Sequence, residues 1–355
     1  MTGPTRSKSP SAPPVRSRRL ELRSFDEFID AVQDASIGGS ILRKDERPWR
    51  LASHVVGTTL VQVGQNGAPS VSETQVVPDR TGFIVLAQES PPRFVDGREM
   101  GADALCFLRP GALVEFSNPL PTSWLSVTAS PEAVGREAAL LAGASPGSTP
   151  LPAVSLIRNP AEVARLRTLL LQVTETIDSA PGALHPEAVA NMERTLLRTL
   201  AGVTLDGSSA RERRRPLRVE RSAAFRSIFG FLRTLPSGPV YVEDLCRATG
   251  LPERTLRFLF LEQFGESPVR VLRARRLCLA YEAFQEPGVG MKQIRQVAGG
   301  YGFWHMGQFA ADYRELFGER PSDTLRRARQ RGPRGRTLRP AANATGFPRL
   351  LAASR

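Results

Sequence analysis

The sequence predicts an α+β protein with a β-rich N-terminal half, a helical connector and an all-α C-terminal domain. Three observations predict it. Short apolar runs broken by Gly, Pro and Asp follow Pro48. Two stretches of helical periodicity follow Asn159. The stretch from Val240 to Arg329 is one motif written twice.

At 355 residues the chain has room for about two domains with ample core. Residues 1–19 carry five Lys or Arg and no acid, among Ser and Pro with almost nothing apolar. They predict a disordered basic tail without the apolar segment of a secretion signal. Ser24, with Phe25, Phe28, Ile29 and Val32 behind it, predicts one short capped helix. Strands are expected in L-A-S-H-V-V-G-T-T-L-V-Q-V, S-V-S-E-T-Q-V-V, T-G-F-I-V-L-A-Q, A-L-C-F-L-R-P-G-A-L-V-E-F and S-W-L-S-V-T-A. Their regular spacing predicts a small antiparallel barrel or sandwich over residues 20–150.

Residues 151–205 predict the connector. Asn159-Pro160 opens a helix with Val163, Leu166, Leu169, Leu170, Val173 and Ile177 on one stripe. Pro186 opens a second, with Val189, Met192, Leu196, Leu197 and Leu200. This hairpin must bury its stripe on the β domain, on its own partner helix or on another subunit. Residues 206–220, including D-G-S-S-A-R-E-R-R-R-P-L-R, predict a polar basic linker.

The helical domain is expected over residues 221–330, opened by a helix from about Ser222 to Leu235. Val242, Leu245 and Cys246 share a helix face, Gly250 turns the chain, and Leu256, Leu259, Phe260 and Phe264 share the next face. The second copy repeats this with Ile294, Val297 and Ala298, then Gly302, then Phe309, Tyr313 and Phe317. The copies close on Phe264-Gly265-Glu266-Ser267-Pro268 and Phe317-Gly318-Glu319-Arg320-Pro321, 53 residues apart. Two short helices joined through a glycine turn make a helix-turn-helix. Correspondence with Ala298 predicts a small buried Cys246. Ser267-Pro268 opens a linking helix that ends before Pro287-Gly288. Residues 331–355, with six Arg and no acid, predict a second disordered tail.

Charge follows this division. Of the formal +13, residues 20–205 carry 15 Lys or Arg against 21 Asp or Glu, whereas 206–330 carry 22 against 14. The basic excess belongs to the helical domain and the tails, as phosphate binding requires. Cys106, Cys246 and Cys278 are scattered, and no run is apolar enough to span a membrane, which together point to the cytoplasm.

Two helix-turn-helices in one unit, with A-x-x-x-G-F in the second and F-G-x-x-P closing each, resemble the DNA-binding domain of AraC/XylS-family transcription regulators. Gly302 to Leu325 is most similar to ethanolamine-operon regulators within that family. The resemblance covers the last third of the chain. It implies two reading helices in successive major grooves of double-stranded DNA, about 34 Å apart. It also implies a cupin-like barrel that takes a small-molecule effector, a role as activator, RNA polymerase as a partner, and homodimerisation through the connector. L-R-P-G, Leu108 to Gly111, is similar to a turn of such barrels.

The family's reading positions fall on Arg254, Arg257 and Phe258 in the first helix. Arginine suits the guanine O6/N7 edge, while Phe258 meets a thymine methyl or packs locally. In the second helix the same positions hold Gly307, Ala310 and Ala311, which offer no base-edge donor, so His305 and Gln308 are the expected base contacts there. Ser267, Trp304, Gly307 and Ala311 are expected against the DNA backbone or in close approach to it. The first helix is thus expected to carry most direct readout. Phe303, Phe309, Tyr313 and Phe317 are expected as core, and Gly299-Gly300 stand awkwardly near a helix end.

No catalytic residue, cofactor or metal site is expected, and no residue is nominated for the effector. A metal-binding cupin needs clustered histidines, and the β-rich half has His54 alone. That weighs against a cupin-type enzyme fused to a DNA-binding unit, and the absence of a reactive-cysteine motif weighs against a fused alkyltransferase. A ligand-independent DNA-binding protein with an assembly-only β domain is the remaining alternative.

Overall fold

A computed structural model describes residues 15–44, 47–143, 151–180, 184–209, 216–234, 238–286 and 289–331. The chain runs β1 (Arg16–Leu22), α1 (Phe25–Ala31), β2 (Ala35–Ile41), β3 (Trp49–Val56), β4 (Thr59–Gln65), β5 (Ser70–Val76), β6 (Thr81–Leu86), β7 (Arg93–Val95), β8 (Arg98–Met100), β9 (Ala104–Leu108), β10 (Leu113–Asn118) and β11 (Ser123–Ala129). Then come α2 (Pro131–Ala142), β12 (Val154–Arg158), α3 (Pro160–Ser179) and α4 (Pro186–Ser209). The C-terminal part comprises α5 (Pro216–Thr234), α6 (Val242–Thr249), α7 (Glu253–Phe264), α8 (Pro268–Gln285), a single 3-10 turn at Met291–Gln293, α9 (Ile294–Gly300), α10 (Met306–Phe317) and α11 (Pro321–Arg331).

The strands form two antiparallel sheets, one ordered β1-β3-β4-β11-β6-β9-β12 and the other β2-β5-β10-β7-β8. Both are open, so the barrel or sandwich expected is present as a two-sheet sandwich that does not close into a barrel. The larger sheet is buried on both faces. Phe83, Val85, Leu105, Leu125 and Val127 meet the helices α3 and α4, while Leu86, Cys106, Leu108 and Trp124 meet the smaller sheet. Double burial explains the nearly continuous apolar runs of β6 and β9.

The connector stripe is buried within the chain. Val163, Leu166, Leu170, Val173 and Ile177 of α3, with Val189, Leu196 and Leu200 of α4, share one core with the large sheet. Asn159 caps α3, its Oδ1 accepting from Glu162 N at 3.4 Å, and Ser24 caps α1 in the same way at 3.2 Å.

Several boundaries move. The expected tail of residues 1–19 gives way at Arg16 to β1, whose Leu20 pairs with Leu51 of β3; residues 1–14 and 332–355 lie outside the described residues. The basic residues of β1 sit on an exposed edge, where charge blunts pairing with other chains. The connector contains β12, added beside β9 at the sheet's edge. The expected linker is helical at both ends, since α4 runs to Ser209 and α5 starts at Pro216; residues 210–215 lie outside the description, as do Pro287 and Gly288. β2 escapes the alternation rule because all seven of its residues are half-buried. A side chain at Gly39 would place its Cβ 2.2 Å from the Val71 carbonyl oxygen, so only glycine fits this close pairing.

The helical part packs on the small sheet. Leu42, just past β2, enters a core with Phe225, Leu256 and Phe260, and Ile41 packs on the neighbouring core of the second motif. Gln263 Nε2 of α7 donates to the Gly97 carbonyl at 3.3 Å, and Gln285 Nε2 of α8 donates to Asp26 Oδ2 of α1 at 3.1 Å.

Leu170 is fully buried between α3 and the sheet. Leu170→Ala is expected to cost about 2–5 kcal/mol in urea unfolding of the full chain. A cost below about 1 kcal/mol would mean that this seam collapses freely around the gap.

Candidate nucleic-acid interface and inner cavity

Each helix-turn-helix is set by two left-handed glycines. Gly250 (φ 69°) ends α6, its N–H donating to the Cys246 carbonyl at 2.9 Å, and Gly265 (φ 67°) ends α7, donating to Leu261 at 3.0 Å. In the second copy Gly302 (φ 79°) makes the turn, and Gly318 (φ 74°) donates to Arg314 at 2.8 Å. The left-handed conformation costs a residue with a Cβ about 1–2 kcal/mol, which is why glycine recurs at these corresponding points. Ser267 Oγ accepts from Arg270 N and starts α8, as its sequence signal predicted.

Within each of α7 and α10 one face is spent on the core. Leu256, Leu259, Phe260 and Phe264 of α7 are buried, and so are Phe309, Tyr313 and Leu316 of α10. Leu256 corresponds to Phe309 and Phe260 to Tyr313, and all four are at most 1% exposed. The Tyr313 hydroxyl meets Thr324 Oγ1 at 2.8 Å, satisfying a buried polar group. Phe303, Phe309 and Tyr313 are core and Phe317 is half-buried. Cys246, expected to be buried like Ala298, is half-buried. Neither Gly299 nor Gly300 has a positive φ or a close neighbour, and nothing in the structure demands glycine at either position.

The opposite faces are open. Arg254, Arg257 and Phe258 are exposed on α7, Phe258 by 53%. Arg257 Nη2 lies 3.4 Å from Glu253 Oε1, both side chains well exposed. On the second motif Trp304, His305, Gly307, Gln308 and Ala311 are exposed, Trp304 by 76%. His305 takes the N-cap position of α10 without a side-chain cap hydrogen bond. Gln308 Nε2 donates to Asp312 Oδ1 at 2.7 Å, and Asp312 also pairs with Arg273 of α8. Ser267, half-buried, is occupied with its cap. The exposed Arg314, one turn beyond Ala311 and Ala310, belongs to the same open face; its position in the last turn hid it among ordinary solvated arginines.

A helix-turn-helix domain family matches residues 245–327. XylDLEGF operon transcriptional activator 2 of Pseudomonas putida is 33% identical over 107 residues, 30% of this chain and 68% of that protein. The chain belongs to the AraC/XylS family of transcription regulators.

XylDLEGF operon transcriptional activator 3 of the same organism is 31% identical over 112 residues, but the match spans only 34% of that protein. A solved structure of a probable AraC family transcriptional regulator from Rhodopseudomonas palustris is 31% identical over 30% of this chain and 97% of its own, with a TM-score of 0.28. The AraC-like transcriptional activator CuxR is 16% identical, covering 75% of this chain and 95% of its own, with a TM-score of 0.37. No helix among the described residues is long and apolar enough to cross a membrane.

The N-terminal half of this AraC/XylS-family chain holds an open-mouthed cavity between the sheets and beneath α1. Its walls are mixed. Phe28, Ile84, Leu108, Phe116 and Trp124 supply apolar surface, whereas Ser72, Thr74, Gln62, Ser126, Thr128 and Arg93 supply polar groups. These polar residues alternate along β4, β5 and β11 with residues facing the other way, so in sequence they pass for a solvated face. Asp34, the one acidic residue of the wall, accepts from Thr128 Oγ1 at 2.5 Å and lies 3.7 Å from Arg80 Nε.

The paired turn glycines give a graded test. A Cβ at Gly250 meets nothing within 4 Å, whereas one at Gly302 falls 2.8 Å from Pro239 Cβ. Gly250→Ala is expected to cost about 1–2 kcal/mol of backbone strain and Gly302→Ala distinctly more, because the proline ring cannot step aside. Urea unfolding of both variants checks the order, and equal costs would remove the steric account.

Proposed function

We propose that the protein activates transcription from a promoter whose DNA it reads with α7 and α10 in successive major grooves, and that a small effector in the inner cavity controls it. Carrying the proposal is one observation: two matched motifs bury equivalent faces in two cores joined by α8 and leave the opposite faces open. Base reading falls mainly to α7. The Arg257–Glu253 pair is exposed and worth at most about 1 kcal/mol, whereas a bidentate contact to guanine contributes about 1–3 kcal/mol of discrimination, so DNA outcompetes the glutamate.

On α10 the balance differs. Gln308 is held by Asp312, itself committed to Arg273, and Gly307, Ala310 and Ala311 carry no base-edge donor. Their small side chains allow close approach to the backbone, with Trp304 and His305 at the helix start. Arg254, Phe258, His305 and Gln308 complete the proposed base-contacting set, and Ser267, Trp304, Gly307 and Ala311 the docking set. RNA polymerase, a second copy of the chain and the cytoplasm complete the proposed setting. The likeness of Gly302 to Leu325 to ethanolamine-operon regulators concerns the second motif alone and assigns no effector.

Footprinting of the full chain on its own upstream DNA, at two salt concentrations, tests the proposal. Protection of two successive major grooves on one face is expected, weakening at high salt through counterion release. Salt-sensitive binding with no footprint would sink it. Arg257→Ala is expected to erase preference at one base pair by about 1–3 kcal/mol, read from a series of single-base variants; uniform weakening across the series would remove Arg257 from base reading. Gly307→Gln is expected to alter protection in the second groove only, and an unchanged footprint would put that face away from DNA.

A further inference from the structure

Arg93 begins β7 on the inner side of the sandwich. Its residue is 4% exposed, and its guanidinium carbon lies 3.9 Å from the centroid of the Phe116 ring. Both residues line the cavity. Among the described residues no carboxylate pairs with Arg93 and no hydrogen bond satisfies it, and its Nε is fully enclosed without a partner. Asp34, across the same wall, is already engaged by Thr128 and Arg80.

Arg167 shows how this fold treats a buried arginine that serves structure. At 6% exposure, it donates from Nε to the Leu86 carbonyl at 2.8 Å, from Nη1 to Gln88 Oε1 at 2.5 Å, and from Nη2 to the Ala102 carbonyl. Arg93 has none of this. Burial lowers its pKa to about 10, which still leaves it charged at neutral pH. A buried cation without a partner is destabilising unless something else supplies the charge. The aromatic face of Phe116 offsets part of that cost, and Arg93 itself lines the cavity.

We infer that the cavity binds an organic monoanion, a carboxylate with an apolar body, whose carboxylate docks on Arg93 while Phe28, Phe116 and Trp124 enclose the rest. The planar guanidinium matches a carboxylate edge-on with two parallel hydrogen bonds. One cation in the wall sets one negative charge, and the aromatic wall sets an apolar body. The inference rests on the effector reading above and names the chemistry of that ligand. It also gives the ligand a route outward. Phe28 and Ile37 line the cavity from α1 and β2, and those two elements touch α8 through Asp26–Gln285 and through the Ile41 carbonyl beside Cys278 Sγ at 3.9 Å.

The experiment is calorimetric titration of the full chain with cinnamate and octanoate against cinnamamide and octanamide. Each is repeated on Arg93→Met, with promoter binding measured by fluorescence anisotropy alongside. The acids are expected to bind the unaltered protein at least tenfold more tightly than the matching amides. Arg93→Met is expected to remove that preference while its thermal midpoint stays level or rises, since no protein partner is lost. Equal affinity for acids and amides, no binding by any of the four, or a preference that survives Arg93→Met would each overturn the inference. The comparison on the unaltered protein decides it even if the variant fails to fold. An acid that binds through Arg93 yet leaves promoter affinity unchanged would uphold this site and defeat the effector reading instead.

Discussion

Helix α8 is the constraint on which the rest depends. Most helices in a domain keep one face wet, but eleven of its eighteen residues are buried, spread around its circumference. Val271 and Leu272 complete the core of the first motif. Leu277, Tyr281 and Phe284 complete that of the second, and Cys278 and Gln285 reach the β domain. Two helix-turn-helices, each with its own core, share one buried rod. The rod fixes the spacing and orientation of α7 and α10, and a change in it would be felt by both at once.

Burial of α8 also redistributes the charge. The basic excess of residues 206–330 looks like a phosphate-binding surface when counted along the sequence, yet part of it is internal. Arg273 pairs with Asp312, Arg275 donates to the Leu232 carbonyl at 3.2 Å, and Arg276 lies over the rings of Tyr241 and Phe303 at 5.4 and 5.0 Å. Burial lowers the pKa of Arg275 and of Arg276, the signature of cations recruited into packing. A charge count bounds the partner class but does not locate the surface, because arginine stems pack as readily as they solvate.

What was legible in the sequence follows the same physics. The doubled motif was readable down to its turn glycines, because helical periodicity and left-handed caps are local properties. Strands β3, β4, β6, β9 and β11 of the large sheet and β5 and β10 of the small one were readable because short apolar runs bounded by Gly, Pro and Asp are a local signal. β1 was hidden by its arginines, which belong to an exposed edge, and β2 by half-burial and its Gly38-Gly39 pair. The cavity was invisible for a different reason. Ser72, Thr74, Ser126 and Thr128 show the polar half of a period-2 pattern, and only the second sheet tells whether that half faces water or the inside of a sandwich. Arg93 gave the one local hint, since it shares a strand face with the fully buried Val95. A charge on an apolar face marks either an error of register or a site.

Helices α7 and α10 do not stand in equal relation to the β domain. Helix α7, which carries the arginines, touches it through Gln263 and the Gly97 carbonyl, and Phe225 packs against the same glycine from α5. Helix α10 is tied mainly to α8, through the pairing of Asp312 with Arg273 and the rings of Tyr313 and Phe317 around Tyr281. A shift of the small sheet therefore bears directly on α7, the helix proposed above to read bases, and bears on α10 mainly through the shared rod and the packing of Ile41. Under the proposed function, such an arrangement would let a ligand change which sequences are held while general adhesion to DNA persists. A coupling of that kind requires the ligand to favour one packing of sheet against helix over another, because binding energy that is equal in both states moves neither.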